Sequence, residues 1–244
     1  YAQTKEGYKN LTKLSSISYL NKNEIDEPSC EIKEIINNNK DLILLTGNNR
    51  DFFGKLFLEN KNTYFKETIE LLKKNFENRI YFEIQRHSEK DEKNFEIYLL
   101  NNSKSLGIPL IASQEVFYIN EQMYEAHDAL KCIGEKKFID DVNRNKLSNQ
   151  HFMKNSNEIA ELYSDIPEAL ENNYNFHLRF NFKPKKSKPI LPSIANDYSN
   201  SPVEELSRQA NEGLKNRMEN FISKKDSSKS KQEINLIYQD RLDH

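Results

Sequence analysis

The chain of 244 residues is long enough to form one large domain or two modest ones and to bury most of its apolar surface. The apolar content of 36% is low and the charged content of 30% is high, but 12 Tyr and 14 Phe are too many for a wholly disordered chain. The longest aliphatic run, residues 42–45, cannot span a bilayer, and no secretory leader pattern opens the sequence. We therefore expect a folded cytoplasmic protein with no membrane partner.

The two cysteines and the two ends of the sequence add to this interpretation. Cys30 and Cys132 have no CxxC spacing, so we expect reduced, free thiols rather than a disulfide framework.

The first residue is Tyr1 rather than Met, and residues 234–244 read as a helix without a Gly, Asn or Pro stop signal. Both features favour an internal fragment of a longer protein.

Apolar runs and amphipathic segments alternate in the first half of the chain. Short runs bounded by polar residues or Gly are typical of buried strands, and they occur at Asp41–Thr46, Ile80–Gln85 and Ile108–Ser113. The segments between them, Asn62–Asn75 and Asp91–Leu106, carry apolar residues three to four positions apart, which predicts helices. The order strand, helix, strand, helix, strand predicts an α/β fold with a parallel sheet or barrel.

Helices without strands are predicted after Tyr118. Asn155 and Asp165 provide start signals for the second and third of them. The predicted helices are Glu121–Ile133, Ser156–Tyr163 and Pro167–Leu178.

The last part of the chain is polar and basic. Residues 183–201 are rich in Pro and Lys and predict a linker, and residues 224–231 predict a loop. Between them, residues 202–222 predict a helix in which Ser201 is the N-cap and Glu204 completes a capping box. Residues 179–231 hold 12 Lys/Arg against 6 Asp/Glu, so this part either faces nucleic acid or is a solvated surface.

A series of motifs gives the sequence a family resemblance. Residues 7–14 (GYKNLTKL) resemble the "GY.NL..L" helix of the PHP domain of bacterial DNA polymerase III alpha subunits. Residues 210–214 resemble the family's "A..GL..R" helix, which leads into the polymerase palm. Further matches follow in the family's order at LILLTG (42–47), YFEIQRH (81–87), IPLIASQEVFY (108–118), AHDALKCI (126–133) and IPEALEN (166–172).

The resemblance implies a fold and a domain organisation. It implies an α/β, PHP-type distorted (β/α)7 barrel that is incomplete at its N-terminus and is followed by an α-helical segment leading into the palm. Residues 1–182 would be the C-terminal portion of the PHP domain and residues 183–201 a linker. Residues 202–244 would be the helical start of the palm region.

The resemblance also implies where a metal site would lie and why this chain is expected to lack one. In the family, an HxH motif supplies the first ligands, and it would precede Tyr1. Where metal-binding relatives carry Asp-x-His, this chain has Glu115-Val116-Phe117. Glu115 could ligate a metal but Phe117 could not, and neighbouring residues rarely replace a lost ligand. We therefore expect a degenerate site and predict no metal-binding, catalytic or cofactor-binding residue in the chain.

The histidines and acidic residues outside that motif receive weaker interpretations. His87 follows a strand end, so a residual metal role stays open beside the simpler role of a surface or hydrogen-bonded residue. His127 is expected to pack its helix against a neighbour. His151, His177 and His244 have no spacing that suggests a site. No partner in the sequence distinguishes the remaining acidic residues from solvated carboxylates, namely Asp128, Asp140 and Asp141. A single-strand nucleic-acid site at Arg86-His87 is disfavoured because aromatics in strands are usually core.

The resemblance implies a part of the replicative DNA-directed DNA polymerase, which performs template-directed DNA synthesis. Its Mg²⁺ would be held by palm residues outside this segment, and DNA would bind through the parent chain. The segment itself is expected to be a scaffold that docks the proofreading exonuclease subunit and other holoenzyme subunits. Two alternatives stay open, namely an active metal-dependent PHP phosphoesterase or 3′–5′ exonuclease and a purely structural interaction module.

Overall fold

The computed structural model describes residues 1–20, 27–186, 188–189, 201–222 and 230–243. They belong to two compact units, Tyr1–Pro184 and Lys185–His244, which we call the first and second units. Most of the predicted linker 183–201 and of the predicted loop 224–231, together with His244, lies outside the described residues. The assignment of the two units to a PHP domain and a palm region stays a prediction.

The elements of the first unit alternate between helix and strand up to residue 112. The strands are β1 (Leu44–Leu45), β2 (Ile80–Ile84) and β3 (Leu110–Ala112). Short 3-10 turns at Glu121–Met123 and His177–Arg179 extend two of the helices. The helices are α1 (Lys5–Leu20), α2 (Ile32–Asn37), α3 (Phe52–Leu58), α4 (Asn62–Phe76), α5 (Glu92–Leu106), α6 (Tyr124–Glu135), α7 (Ser156–Leu162) and α8 (Pro167–Phe176).

The three strands form one parallel sheet in the order β1-β2-β3, which confirms the predicted α/β arrangement with a parallel sheet. Leu44 lies beside Ile80, and Phe82 lies beside Leu110. The observed strands are shorter than the predicted ones. Asp41, the first residue of the first predicted strand, has a φ of 58°, which is outside the extended conformation of a strand. The described sheet does not establish the expected seven-stranded barrel.

Residues that alternate along β2 contribute to two separate apolar clusters. Ile80, Phe82 and Ile84 are at most 1% exposed and pack in the main core against α4 and α5. The predicted apolar positions of α4 are all buried, since Phe65, Ile69, Leu72 and Phe76 belong to this core. Tyr81 points the other way, as expected for period-two alternation, and packs with Ile43 and Ile111.

Helix α8 lies along β3. The Asn172 side-chain amide donates to the Leu110 carbonyl (2.7 Å), and the Asn173 amide donates to the Ala112 carbonyl (2.7 Å). Covering a strand with a helix protects its backbone groups from pairing with another chain. Helix α8, which contains most of the IPEALEN motif, therefore covers the outer edge of β3.

The glycine of the GYKNLTKL motif is required by a close approach. A Cβ at Gly7 would lie 2.2 Å from the Asp41 carbonyl oxygen, a separation that no side chain tolerates. The Thr4 hydroxyl, just before α1, donates to the Asp41 carboxylate (2.7 Å). The motif thus seats α1 against the segment that leads into β1.

Several helix boundaries differ from the prediction. Helices α2 and α3 were not predicted because six or seven residues give too short a periodic pattern. Asn155 caps α7 in a capping box with Glu158, as its start signal indicated. Asp165 does not cap α8; that helix begins with Ile166 as N-cap and Pro167 as its first residue, and the Asp165 carboxylate bonds to Arg86 instead.

The second unit contains α9 (Pro202–Arg217), which continues as a π-helix over Met218–Ile222, and α10 (Lys231–Asp243). The Ser201 hydroxyl accepts from the Glu204 N–H (3.2 Å), which confirms the predicted N-cap. Among the described residues, no helix is both long and apolar enough to cross a membrane.

Candidate functional site at the strand ends

The carboxyl ends of parallel strands meet at one edge of a sheet, and the loops there carry the functional groups of many α/β proteins. In this chain the loops after β1, β2 and β3 bring together charged and imidazole side chains. We call this set the strand-end cluster, and its members are Arg50, His87, Glu89, Glu115 and His151.

Glu83, within β2, ties the three loops together beneath the cluster. Its carboxylate accepts from the Gly47 N–H (3.1 Å), from the Gln85 side-chain amide (3.1 Å) and from the Ser113 hydroxyl. Gly47, after β1, has a φ of +79°, a backbone conformation that favours glycine there. The loops after all three strands are therefore fixed through one carboxylate.

Arg50 forms an ion pair with Glu115, at 2.5 Å between Nη2 and Oε2. The two side chains are 32% and 37% exposed, so solvent screens part of this attraction. The positive charge of Arg50 also lies near Glu89. Burial by itself would raise the pKa of the Glu89 carboxyl group. Hydrogen bonds from the Ser148 N–H and from His151, with the charge of Arg50, outweigh burial and lower the pKa of Glu89.

His87 and His151 are each 1% exposed, and their rings stack in parallel. The ring centroids are 4.1 Å apart and the planes differ by 2°. His87 Nε2 accepts from the Glu115 N–H (3.2 Å), and the His87 N–H donates to the Glu92 carboxylate (2.7 Å). His87 is thus a buried, hydrogen-bonded residue, and His151, for which the sequence spacing suggested no site, lies beside it in the cluster.

The two ring nitrogens of His151 both meet acceptors. Nδ1 lies 3.1 Å from the Glu115 carbonyl oxygen, and Nε2 lies 3.1 Å from the Glu89 carboxylate. Burial lowers the pKa of His151, and the hydrogen bond to Glu89 offsets this only in part. No sequence spacing near His151 could have shown this arrangement, because these two partners are 36 and 62 residues away along the chain.

His151 lies at the end of a long excursion from the sheet, residues 119–150. The excursion is closed at its base by a bridge between Tyr118 and Phe152, with the Phe117 N–H donating to the His151 carbonyl (2.9 Å). Near its end, the Ser148 N–H donates to Glu89 (2.9 Å) and its hydroxyl donates to the His87 carbonyl. The strand-end cluster therefore fastens the excursion to the loop after β2.

Within the excursion, Asp128 and Arg144 form a buried ion pair. Their side chains are 9% and 7% exposed, and both carboxylate oxygens of Asp128 accept from the guanidinium. The hydrogen bonds from Arg144 lower the pKa of Asp128. The interpretation of Asp128 as a solvated carboxylate is therefore wrong, since its partner lies 16 residues further along the chain.

Phe117, at the position of the expected ligand histidine, contributes an aromatic contact. Its ring stacks on His127 with centroids 5.3 Å apart and planes 20° apart, and it lies 5.3 Å from the ring of His151. His127 also contacts the Tyr118 ring at 5.3 Å, which confirms its packing role on α6.

Arg86, two residues after the end of β2, is held by two carboxylates. It bonds to Glu96 of α5 through Nε (2.9 Å) and Nη2 (2.5 Å), and to Asp165 before α8 through Nη1 (2.6 Å) and Nη2 (2.8 Å). Nη1 also donates to the Leu162 carbonyl (2.5 Å). Because these partners occupy the guanidinium, Arg86 joins three segments of the fold.

Several donor atoms of the strand-end cluster are already engaged by other groups of the protein. Throughout the described ranges, no three His, Cys, Asp or Glu side chains are grouped to hold a metal ion. His87 Nε2 accepts a backbone N–H, the nitrogens of His151 face Glu115 and Glu89, and the Glu115 carboxylate pairs with Arg50. Cys30 and Cys132 are free thiols, as predicted, and neither belongs to the cluster.

A separate open groove of about 790 Å³ lies beside β1. Its walls are mainly apolar, with Ile35, Leu44, Phe52 and Tyr64 among them, and Cys30 at one side. No member of the strand-end cluster lines this groove.

Comparison with known proteins agrees with the resemblance that the motifs indicated. Residues 1–87 match the PHP domain family. The chain is 34% identical to DNA polymerase III subunit alpha of Caulobacter vibrioides over 218 residues, which are 89% of this chain and 19% of that protein. The chain is therefore similar to DNA polymerase III subunit alpha along most of its length. This confirms the family resemblance.

Two further DNA polymerase III alpha subunits match the same span. That of Rickettsia bellii is 31% identical over 245 residues, covering 100% of this chain and 21% of the relative. That of Borreliella burgdorferi is 35% identical over 230 residues, covering 91% of this chain and 20% of the relative. The chain thus spans about a fifth of the length of these curated relatives.

Proposed function

We propose that this chain is part of the alpha subunit of a bacterial replicative DNA polymerase, a DNA-directed nucleotidyltransferase. The observation that carries the proposal is the match to DNA polymerase III subunit alpha along 89% to 100% of the chain, through both structural units. A shared PHP domain alone would leave the parent protein open, because the family match covers only residues 1–87. Similarity that continues into α9 and α10 favours the polymerase.

Within that protein, the first unit would be a PHP scaffold without metal chemistry. The parallel sheet and its helices suit one part of a distorted (β/α)7 barrel, with residues 1–182 as its C-terminal portion. Metal-assisted hydrolysis of a phosphoester needs a cation with an open coordination position for water. At the strand ends, Arg50 is already the cation beside Glu115, and Phe117 offers no donor atom.

The remaining functional assignments rest on this proposal. Residues 183–201 would link the PHP domain to a helical segment, 202–244, that leads into the palm. Mg²⁺ for nucleotidyl transfer would be held by palm residues outside this chain, and DNA would bind there as well. The PHP scaffold would dock the proofreading exonuclease subunit and other holoenzyme subunits, in the cytoplasm.

The test uses the intact polymerase and a variant that restores the expected ligand types. Glu115→Asp with Phe117→His should leave the protein without metal-dependent 3′–5′ exonuclease activity, because the other donor atoms keep their protein partners. The matched control is Phe117→Tyr, which keeps an aromatic ring at that position. Bound metal would be measured by elemental analysis, with exonuclease and primer-extension assays on the same preparations.

Each result has a distinct meaning. Primer extension by all three proteins, without metal-dependent digestion, supports the polymerase with a degenerate PHP site. Digestion by the unmodified protein together with bound zinc or manganese would favour the active phosphoesterase instead. Digestion that is gained only by the double variant would show that the other ligands persist, and would contradict the degenerate site.

A further inference from the structure

A second groove lies within the second unit, between α9 and α10, and we call it the α9–α10 groove. Its volume is about 440 Å³, and most of its surface is apolar. Helix α10 contributes Tyr238 and Arg241 to its lining, and α9 contributes Arg217. Within the part of the second unit that the structure describes, no Asp or Glu lines the groove. Its fixed charge is therefore positive.

The residues of the family's "A..GL..R" pattern form one wall of this groove. Ala210, Gly213, Leu214 and Arg217 stand at the positions that the pattern names, and all four line the groove. Because residues three and four positions apart are neighbours on a helix, they share one face of α9. The motif therefore specifies one surface of this helix.

Gly213 keeps that surface open. Glycine in the interior of a helix costs stability relative to alanine, so its presence in α9 calls for a reason. Beyond the backbone of its own helix and its chain neighbours, no described atom lies within 4 Å of the place where a Cβ would stand. Packing thus does not require glycine here, unlike at Gly7. Since Gly213 lines the groove, a long side chain at this position would occupy it.

The two arginines of the groove differ from the other arginines of the chain. In the described ranges, neither Arg217 nor Arg241 forms an ion pair or donates a hydrogen bond to a protein group; Arg241 only lies over the Tyr238 ring, 5.3 Å from its centroid. Both are exposed and stay charged at neutral pH. Carboxylates or carbonyl oxygens bind the remaining guanidinium groups, those of Arg50, Arg79, Arg86, Arg144, Arg179 and Arg208.

An aromatic ring beside two free guanidinium groups suits a nucleotide. Nucleic-acid bases stack on aromatic rings, and guanidinium groups bind phosphate oxygens through paired hydrogen bonds. A groove of about 440 Å³ falls within the range of small-molecule sites, about 300–1,000 Å³, so it has room for one base. An acidic peptide would engage the two arginines but would leave the face of Tyr238 without a flat partner.

We propose that the α9–α10 groove binds single-stranded DNA, with one base stacked on Tyr238 and the flanking phosphates bound by Arg217 and Arg241. The groove by itself fits any single-stranded nucleic acid, and the choice of DNA rests on the proposed function. A duplex does not fit because its bases stack on one another and leave no free face. The contact holds the strand at any sequence, since every base has a face that stacks.

The test is photocrosslinking of the intact polymerase to a single-stranded DNA of about four nucleotides that carries iodouracil. Iodouracil crosslinks on illumination to an aromatic ring on which it stacks, and peptide mass spectrometry locates the adduct. We expect an adduct on Tyr238. A chelator and the omission of nucleoside triphosphates keep the nucleotidyl-transfer site inactive during the experiment, and primer extension is assayed separately on the same preparation.

The salt dependence of the crosslink yield reports the phosphate contacts. For single strands, affinity falls with salt with a logarithmic slope of about −0.7 per phosphate, so two contacts predict a loss of about fivefold when the salt concentration is raised about threefold. In Arg217→Gln or Arg241→Gln one contact remains, and the loss should shrink to about twofold. The matched control, Lys215→Gln, removes one positive charge from α9 outside the groove and should keep the loss of about fivefold.

Gly213→Leu tests the shape of the groove without changing its charge. Leucine is a better helix former than glycine, so α9 should persist, which circular dichroism checks. The leucine side chain would fill the groove, and the yield at Tyr238 should fall about tenfold, within the range expected for the loss of one base stack. The control is Gly213→Ala, whose Cβ meets open space and which should keep most of the yield.

The outcomes separate the groove from the polymerase assignment. An adduct on Tyr238 that is lost in Gly213→Leu and that depends less on salt in the arginine variants supports the proposal. No adduct on Tyr238, or equal salt dependence in Arg217→Gln and Lys215→Gln, would overturn it, while primer extension by the same preparation would leave the proposed function standing. An intact protein that cannot extend a primer would instead contradict the proposed function.

Discussion

The main core and the strand-end cluster of the first unit are both buried, yet they are specified by different kinds of sequence information. The core uses side chains of one kind at regular intervals, as in α4, where Phe65, Ile69, Leu72 and Phe76 are three or four residues apart. The cluster uses single charged or imidazole side chains from four separate segments. Local periodicity therefore identifies the first region, and only the folded chain reveals the second.

The largest effect is expected in the core. Phe65 is 0% exposed and contacts the rings of Phe53, Phe82 and Tyr98, so Phe65→Ala should lower the free energy of unfolding by about 3–5 kcal/mol. Urea denaturation measures the change. Its neighbour Tyr64 is 49% exposed, and Tyr64→Ala should cost less than about 1 kcal/mol. Equal losses would show that α4 does not pack by the predicted face.

A somewhat smaller effect is expected at Arg86, which joins the core to the strand ends. Arg86→Met leaves the Glu96 carboxylate, 13% exposed, without its guanidinium, so we expect a loss of about 2–4 kcal/mol in unfolding free energy. The control is Lys61→Met, whose partner Glu59 is 54% exposed and whose loss should stay within about 0.5 kcal/mol. A loss at Arg86 no larger than the control would contradict the role of Arg86 as a connection between segments.

The smallest effect concerns the acid response of the excursion. The pKa of Asp128 is lowered in the folded state by Arg144, so the pair stabilises the excursion above the unfolded pKa of about 3.8. That contribution should be lost as the pH falls from about 4 through the lower folded pKa. In Asp128→Asn, exchange of the α6 amides should be faster at about pH 7 and should change less between about pH 5 and about pH 3. An unchanged acid response would show that Arg144 does not lower the pKa of Asp128.

The sequence predicted the parts of the fold that depend on local pattern. The parallel arrangement, α4, α5, the caps at Asn155 and Ser201 and the free cysteines are all confirmed. The motifs also identified the family to which the chain is similar. Asp165 was misinterpreted because an Asp before Pro167 looks like a cap, while its partner Arg86 lies 79 residues earlier.

The strand-end cluster could be predicted only in part, and for a similar reason. The family motif directed attention to Glu115 and Phe117, and the predicted strand end directed attention to His87; all three lie at the strand ends. It gave no indication of Arg50 or His151, because a salt bridge or a ring stack between residues far apart in sequence leaves no periodic trace. The absence of a functional metal site stays a prediction, and the ligand-restoring variant tests it.

The bridge between Tyr118 and Phe152 has a consequence for how this part of the chain can vary. It brings the two ends of residues 119–151 to neighbouring positions. The entropy of closing such a loop changes by only about 0.6 kcal/mol when its length is doubled or halved. Insertions or deletions in the excursion would therefore cost the rest of the fold little, provided that Ser148 and His151 still reach the loop after β2.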